Sequence, residues 1–264
     1  MGVTSAQIML TARKNHLLNA LIYRGLIKSG LRGAFGQVNV RQLGPWPKPD
    51  VPVILYGNHC SWWDGHLGMA VNEEHWHRDG YVMMEDKQLE RYGFFRALGA
   101  FSLSRSDARS AMQTLNYAAE LLTHTPGRML LLFPQGEILA NDVRPLHLFG
   151  GIAHLVKKIV DQVGACALYP MALRYEFIGE QKPEAFISVG HPLVVTTETL
   201  PTPAKQLLGQ LETVLTDTLD QLHNDITAYQ FGTFEVCING GWSINRWWDA
   251  VRGRVPIARV GHDK

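Results

Sequence analysis

The sequence predicts an α/β fold with a mostly parallel mixed sheet flanked by helices. Short apolar segments rich in Val, Ile, Leu and Phe alternate with helical stretches, which is the pattern of strands joined by crossover helices. A capping residue at Ser106 or Asp107 and the pair Pro126-Gly127 mark the two ends of the clearest helix. The predicted strands are 52–57, 80–84, 129–133, 165–171 and 185–190, and the predicted helices are 107–123, 149–163 and 203–226.

A basic helical segment precedes this domain. Residues 1–35 are predicted to be helical, and the proline-rich run 43–50 forms the clearest boundary in the chain. We therefore divide the chain into a segment with its connector, 1–45, and a main domain, 46–264. The residues before Asp50 include several basic side chains and no acidic one, which favours contact with an anionic membrane surface. On a helical wheel, however, the basic residues overlap the apolar arc, and a helix packed on the domain is the alternative.

Composition excludes several classes of protein. The chain has 264 residues, of which 46% are hydrophobic and 19% charged, as expected for one large globular domain. The formal net charge of +1 gives no sign of a nucleic-acid partner. No run reaches the roughly 18 apolar residues of a membrane span, and we expect no signal peptide. Three distant cysteines, Cys60, Cys166 and Cys237, do not form a disulfide framework and favour a reducing cytoplasmic setting.

His59 and Asp64 are the first candidates for chemistry. They follow the predicted strand 52–57, so His59 projects from a strand end and Asp64 starts the next helix. A carboxylate that holds an imidazole in one tautomer makes a general base. The same pair of residues is also typical of a polar contact that ties a strand end to a helix cap.

Three further segments carry candidate binding residues. The run 99–105 ends in Arg105 directly before the long helix, where a guanidinium is suited to an anion such as phosphate. The run 133–137 makes a tight turn after the most apolar strand, and Gly136 lets a ligand approach its backbone. Pro170 lies within an apolar strand, which indicates a sheet edge or a strand end lining a cavity.

Together these segments resemble the glycerolipid acyltransferase family, which includes lysophosphatidate and glycerol-3-phosphate acyltransferases. Asn58-His59 through Asp64 is similar to that family's NHxxxxD block, and the run 99–105 to its second block. The run 133–136 resembles the third block, usually FPEG, and Tyr169-Pro170 the fourth. The blocks occur in the family's order and with similar spacing.

The resemblance implies transfer of a fatty acyl group from acyl-CoA or acyl carrier protein to a lipid hydroxyl, with lysophosphatidate as the type of acceptor. It implies that His59 is the base, that Asp64 orients it, and that backbone amides around Gly136 stabilise the oxyanion. No cofactor or metal is expected, and we expect the protein to lie on the inner face of a membrane. The implied substrate-binding residues are Arg105, Phe133, Pro134, Gln135, Gly136 and Pro170.

The departures from the family pattern concern the acceptor. Gln135 replaces the usual glutamate of the third block, and it either braces the turn or contacts substrate. Glu137-Ile138-Leu139 stands where the family often has Thr-Arg-Ser, so a cationic contact to phosphate is missing there. Either Arg105, Arg109 or Arg144 compensates, or the acceptor is a lipid alcohol without phosphate, such as a glycolipid or a terpenoid.

Three other functions compete with this interpretation. Cys60 as a nucleophile would need a histidine base, for which its neighbour His59 is badly placed. A zinc site is also conceivable, and its candidate ligands are His59, Asp64, His66, His75 and His77. His75 and His77 form an HxH pair, but the spacing is not that of a firm zinc site. A lipid-binding protein that keeps the fold without turnover is the third alternative, and the intact His59/Asp64 pair disfavours it.

Overall fold

The computed structural model describes residues 9–103, 107–241, 248 and 251–252. Nine strands form one sheet in the order β4-β3-β5-β2-β6-β7-β1-β9, and β8 pairs with β6 outside this path. The strands are β1 (Gln37–Gln42), β2 (Val53–Gly57), β3 (Asp79–Glu85), β4 (Ala100–Leu103), β5 (Arg128–Leu132), β6 (Ala165–Glu176), β7 (Glu184–Val189), β8 (Leu193–Thr196) and β9 (Glu235–Asn239).

The predicted α/β class and mostly parallel mixed sheet are confirmed. Strands β4, β3, β5, β2 and β6 run parallel to one another, so their carboxyl ends lie along one edge of the sheet. Beyond β6 the direction changes, because β7 is antiparallel to β6 and β9 is antiparallel to β1. Chemistry is expected at the shared carboxyl edge of the parallel strands.

Helices cover both faces of the sheet. In β2, Ile54 and Tyr56 face the core packed by the long helices that follow β4, β5 and β8, whereas Val53 and Leu55 face the core packed by the amino-terminal helices and the helices that follow β2 and β3. This alternation follows from the period of two in a strand. The helices are α1 (His16–Ile22), α2 (Ser29–Ala34), α3 (Asp64–Val71), α4 (Asp86–Arg91), α5 (Ala108–His124), α6 (Gly151–Val163) and α7 (Ala204–Thr227), with π-helical segments at Tyr23–Lys28 and Asn72–Trp76 and a 3₁₀-helix at Gly93–Leu98.

The sequence predicted the central strands and missed outer ones. Each of the predicted strands and helices after residue 50 has its counterpart, with ends that shift by a few residues. Strand β4 lies in the run 99–105, which is strand-like in sequence, and strands β1, β8 and β9 were not predicted. β1 lies inside the predicted segment 1–45, yet it pairs with β7 within the main sheet. The division of the chain at residue 45 stays a prediction.

The amino-terminal helix is shorter than predicted. Residues 9–15 are irregular and lie beside β4, where Ser102 N–H donates to the Leu10 carbonyl at 2.9 Å. The helix begins after Asn15, whose side chain accepts from the N–H groups of Leu17 and Leu18. From there α1, the π-helical turn and α2 are continuous to residue 34, and residues 1–8 lie outside the described part.

The prediction that Pro170 marks a sheet edge or a strand end is wrong. β6 pairs with β2 on one side along its first half, so Pro170 lies opposite Tyr56 in the interior of the sheet. On the other side β6 pairs with β8 up to Leu168 and with β7 from Met171 onward. Pro170 lies in the gap between these two partners, where its missing N–H leaves no ladder bond unmade.

Close packing of α3 against the sheet positions the candidate site. Gly68 faces Leu131 of β5, and a Cβ atom at residue 68 would come within 2.5 Å of that leucine side chain. A larger residue would therefore push α3, which begins at Asp64, away from the strand ends. Within the described residues, no helix combines the length and the apolar character needed to cross a bilayer.

Candidate active site

The predicted pair His59 and Asp64 meets at the carboxyl end of β2. β2 ends at Gly57, and Asp64 is the first residue of α3. His59 Nδ1 lies 2.7 Å from Asp64 Oδ2, and 24% of the His59 side chain is exposed. The contact assigns the ring proton to Nδ1 and leaves Nε2 as the nitrogen able to accept a proton. This is the geometry of a histidine base held by a carboxylate.

Asp64 is fully buried and surrounded by donors. Its Oδ2 also accepts from the backbone N–H of Cys60 at 2.6 Å and of Ser61 at 2.8 Å. Its Oδ1 accepts from the hydroxyl of Tyr175 on β6. A buried carboxylate without donors would carry a large desolvation cost. The turn after β2 and the distal part of β6 therefore fix the carboxylate against the imidazole together.

The loop after β5 holds His59 from the other side. The imidazole stacks on Phe133 with ring centroids 4.7 Å apart and an angle of 22° between planes. The His59 N–H donates to Gln135 Oε1 at 2.8 Å, and the His59 carbonyl accepts from Leu139 N–H at 2.8 Å. Backbone and ring of His59 are thus both positioned by residues 133–139.

A cavity of about 520 Å³ adjoins His59 at this edge of the sheet. Ligand pockets usually have volumes of about 300–1,000 Å³, so this one suits a ligand of moderate size. It extends between α3, the ends of β3 and β4, and the starts of α5 and α6. Its wall is mostly apolar, with Met69, Val82, Met83, Leu98, Leu115 and Leu155 among the lining residues.

The residues of the predicted third block have two different positions: some line the cavity, and one braces the turn that carries them. Phe133, Pro134 and Gly136 line the cavity. Gln135 does not, because its side chain is buried between His59 N–H and the Leu146 carbonyl, to which its Nε2 donates at 3.3 Å. Gln135 was expected either to brace the turn or to contact substrate, and this geometry supports the role of bracing the turn.

Two other predicted contacts are arranged differently from expectation. Gly136 has the positive φ of 71° that glycine tolerates, but its N–H donates to the Phe133 carbonyl at 3.0 Å. That amide is engaged in the turn instead of facing the cavity as a free oxyanion donor. Pro170 is buried in β6 and is not among the lining residues.

The charges around the cavity bear on the acceptor. Arg105 lies outside the described residues. In the described part of the chain no lysine or arginine lines the cavity, whereas Glu85 and Glu137 do. Arg144 pairs with Asp220 at 2.7 Å, and neither Arg144 nor Arg109 is a lining residue.

The rival sites receive no geometric support. Burial and the neighbouring Asp64 carboxylate raise the pKa of the Cys60 thiol well above its usual range, so a thiolate nucleophile is disfavoured. Among the residues that the structure describes, no three His, Cys, Asp or Glu side chains are grouped to hold a metal ion.

Comparison with known families decides the class. A family model described as Acyltransferase matches residues 37–174, which extend from the start of β1 nearly to the end of β6. The chain belongs to the Acyltransferase family. The matched segment contains the His59/Asp64 pair, the turn 133–136 and Pro170. Membership assigns this acyltransferase to the enzymes that transfer acyl groups.

Other comparisons add little to the acyltransferase assignment. No curated protein matches the chain. The solved structures that match include the Legionella pneumophila ATPase DotB, with 9% sequence identity and a TM-score of 0.31, covering 81% of this chain and 67% of that chain. At that TM-score the two folds differ too much for one to inform the other.

Sequence reasoning missed two residues of the candidate site. Tyr175 donates to Asp64 from 111 positions away, and nothing near it in the sequence marks that contact. His66 lines the cavity from the first turn of α3, although the sequence suggested it only as a possible zinc ligand. Its spacing of four from Trp62, which also lines the cavity, was the available signal.

Proposed function

We propose that this enzyme transfers a fatty acyl group from an acyl thioester, acyl-CoA or acyl carrier protein, to the hydroxyl of a lysophospholipid such as lysophosphatidate. The observation that carries the proposal is a histidine–carboxylate pair beside an apolar cavity. The cavity suits an acyl chain, and the pair suits deprotonation of an alcohol at the end of that chain.

His59 Nε2 takes the proton of the acceptor hydroxyl while the oxygen attacks the thioester carbonyl carbon. The tetrahedral intermediate then expels the thiolate, which takes the proton from the imidazolium, so an ester and a free thiol are formed. Asp64 stabilises the imidazolium between the two transfers. Such acid–base assistance contributes about 10²–10⁴-fold to the rate. The step requires no metal or other cofactor.

A lipid alcohol without phosphate is the second candidate acceptor. The carboxylates of Glu85 and Glu137 line the cavity, and like charges would oppose a phosphate group there. Carboxylates accept hydrogen bonds from hydroxyl groups, so a polyol or sugar headgroup suits these side chains. Arg105 remains the proposed phosphate ligand if the acceptor is phosphorylated.

The enzyme works at the inner surface of a membrane as a peripheral protein. Leu17, Leu18 and Leu21 of α1 are 80%, 47% and 69% exposed, an apolar face that a bilayer would cover. The basic residues contribute less than the sequence indicated, because Lys14 pairs with Asp79 and Lys28 with Glu74.

An acceptor panel tests the proposed reaction. Purified protein is incubated with radiolabelled palmitoyl-CoA or palmitoyl carrier protein and with glycerol-3-phosphate, lysophosphatidate, a neutral lysophospholipid, a glycolipid or a terpenoid alcohol. Label in lysophosphatidate alone supports the first acceptor, and label in a neutral alcohol supports the second. Tight lipid binding without product from any combination would instead indicate a non-catalytic lipid-binding protein.

A further inference from the structure

His66 places a polar side chain in the apolar wall of the cavity. It lies on the first turn of α3, lines the cavity and is only 7% exposed. The other described lining residues with ionisable side chains, such as His59, Glu85 and Glu137, are half-buried or exposed. Among the described residues that line the cavity, His66 is therefore the one buried ionisable residue.

The surroundings of His66 leave part of its hydrogen-bonding capacity unused. Its ring centroid lies 4.5 Å from that of Trp62, 5.3 Å from that of Trp63 and 5.9 Å from that of Phe95. Its Nδ1 is buried and makes no hydrogen bond of standard geometry in the described part of the chain, although the Trp62 backbone lies close to the ring. A polar group in an aromatic cage costs stability unless something pairs with it, so a purely structural role would favour phenylalanine.

The imidazole of His66 is neutral at neutral pH. Burial lowers the pKa of His66 to about 4 and outweighs a hydrogen bond with the Trp62 backbone, which acts to raise this pKa. A neutral imidazole offers one N–H donor and one nitrogen acceptor. It therefore suits a hydroxyl or a carbonyl oxygen and provides no charge to attract a phosphate or a carboxylate.

The position of His66 relates it to the reacting end of the cavity. Trp62, His66 and Met69 follow one another at helical spacing and all line the cavity. Asp64, which holds His59, is two residues before His66 on the same helix. His59 lines the same cavity, so one bound ligand can contact both His59 and His66.

We infer that His66 forms a subsite for a neutral hydroxyl or carbonyl group of the bound lipid. The group comes from either the acyl donor or the acceptor. Only this choice of source rests on the proposed acyl transfer, because binding at His66 requires no turnover.

Equilibrium binding without turnover tests the subsite. Titration calorimetry measures the affinities of 1-octanol and 1-chlorooctane for the wild type and for His66→Phe. 1-Chlorooctane has the same chain length as 1-octanol but no hydroxyl group. We expect octanol to bind His66→Phe about three- to tenfold more weakly, the effect of one lost neutral hydrogen bond, and chlorooctane to bind both proteins equally. Equal octanol affinities, or an equal loss for both ligands, would overturn the inference.

Two further variants separate hydrogen bonding from packing. His66→Gln keeps a donor and an acceptor without the ring, so it should recover part of the octanol affinity that His66→Phe loses. His75→Phe is the matched control, because His75 Nε2 is also buried without a partner but His75 does not line the cavity. This control should bind both ligands as the wild type does. A loss of octanol affinity in His75→Phe as large as in His66→Phe would also overturn the inference.

Steady-state kinetics then identify the source of the group. If KM rises in His66→Phe for the acyl thioester alone, the acyl donor supplies it, and if KM rises for the lipid alcohol alone, the acceptor does. An octanol effect in a protein that forms no acyl product would leave the subsite supported and the proposed reaction refuted.

Discussion

The hydroxyl of Tyr175 on β6 donates a hydrogen bond to Asp64, which lies 111 residues earlier in the chain. The Tyr175 ring stacks on the ring of Phe35 with their centroids 5.6 Å apart, so aromatic packing holds the hydroxyl in place. Burial and the neighbouring Asp64 carboxylate raise the pKa of Tyr175 far above its usual value, which keeps the phenol protonated as a donor. The carboxylate that contacts His59 is therefore itself held by a strand far from the segment 58–64.

Tyr175→Phe is expected to lower kcat by about ten- to a hundredfold, because hydrogen bonds to charged groups are worth about 1.5–3 kcal/mol. KM should change little, since Tyr175 does not line the cavity. Steady-state kinetics measure both constants. Tyr117→Phe removes a hydroxyl that accepts a hydrogen bond from Ala12 N–H and does not line the cavity, and it should leave both constants unchanged. An unaltered kcat in Tyr175→Phe would show that this contact has no part in catalysis.

Gln135→Glu restores the glutamate usual in the third block and is expected to destabilise this protein. The carboxylate still accepts from His59 N–H, but it has no donor for the Leu146 carbonyl that Gln135 Nε2 binds. The cost is about 1–3 kcal/mol at neutral pH. Burial beside a carbonyl oxygen raises the pKa of the new carboxyl in the folded state, so the penalty should diminish as the pH falls through that pKa and the protonated acid donates to Leu146.

Urea unfolding of Gln135→Glu and the wild type at neutral and mildly acid pH measures this difference. Gln210→Glu, at an exposed position of α7, is the control and should change stability little at either pH. A penalty that grows as the pH falls would contradict the assigned role of the Gln135 amide.

The double variant Leu17→Ser, Leu21→Ser is expected to bind membranes at least tenfold more weakly. Full burial of one leucine is worth about 1.5–3 kcal/mol, and both side chains are mostly exposed in the protein. Sedimentation with anionic lipid vesicles measures the partition. Val163→Ser, Val194→Ser changes two exposed apolar residues in other elements and should bind vesicles as the wild type does. Equal binding by both double variants would remove α1 as the membrane contact.

Asp79→Asn is expected to destabilise the protein at neutral pH by about 1 kcal/mol, a low value because the site is partly exposed. Asp79 binds Lys14 Nζ and Arg128 Nε at 2.7 and 2.8 Å. Burial acts to raise the pKa of Asp79, but these two cations outweigh it and lower that pKa. A lowered folded-state pKa stabilises the fold above the unfolded-state pKa, and this stabilisation is lost as the pH falls through the folded-state pKa.

The free energy of unfolding as a function of pH tests the role of Asp79. The wild type and Asp79→Asn should differ at neutral pH and converge in acid. Asp161→Asn removes an exposed pair with Lys157 and should have little effect at any pH. A constant difference between the wild type and Asp79→Asn at all pH values would assign their stability difference to packing instead of charge.

The parts of the molecule that the sequence predicted are those governed by local patterns. Buried parallel strands are continuous apolar runs, so β2 and β5 were recognisable, and Asn58-His59 with Asp64 stood out as a short motif. Strand β1 alternates apolar residues with Asn39 and Arg41, which are buried because Glu184 and Asp225 bind them from distant elements. The sequence near β1 contains no pattern from which these distant partners could be predicted.

The same distinction applies to the candidate site. The contact of His59 with Asp64 depends on one turn, and spacing alone predicted it. The roles of Gln135 and Tyr175 depend on where β5 and β6 lie beside β2, which the sequence does not state. Pro170 led to the wrong inference of a sheet edge or strand end, because the gap between β8 and β7, which accommodates a proline, exists only in the assembled sheet.

The most direct test of the central claim is the rate of acyl transfer by His59→Ala in single turnover, with labelled palmitoyl thioester and the acceptor that the panel identifies. His124→Ala, an exposed histidine at the carboxyl end of α5, is the control. We predict that His59→Ala loses about 10²–10⁴-fold in rate while His124→Ala matches the wild type. Product formation by His59→Ala at the rate of the wild type would contradict the proposal that this histidine is the general base.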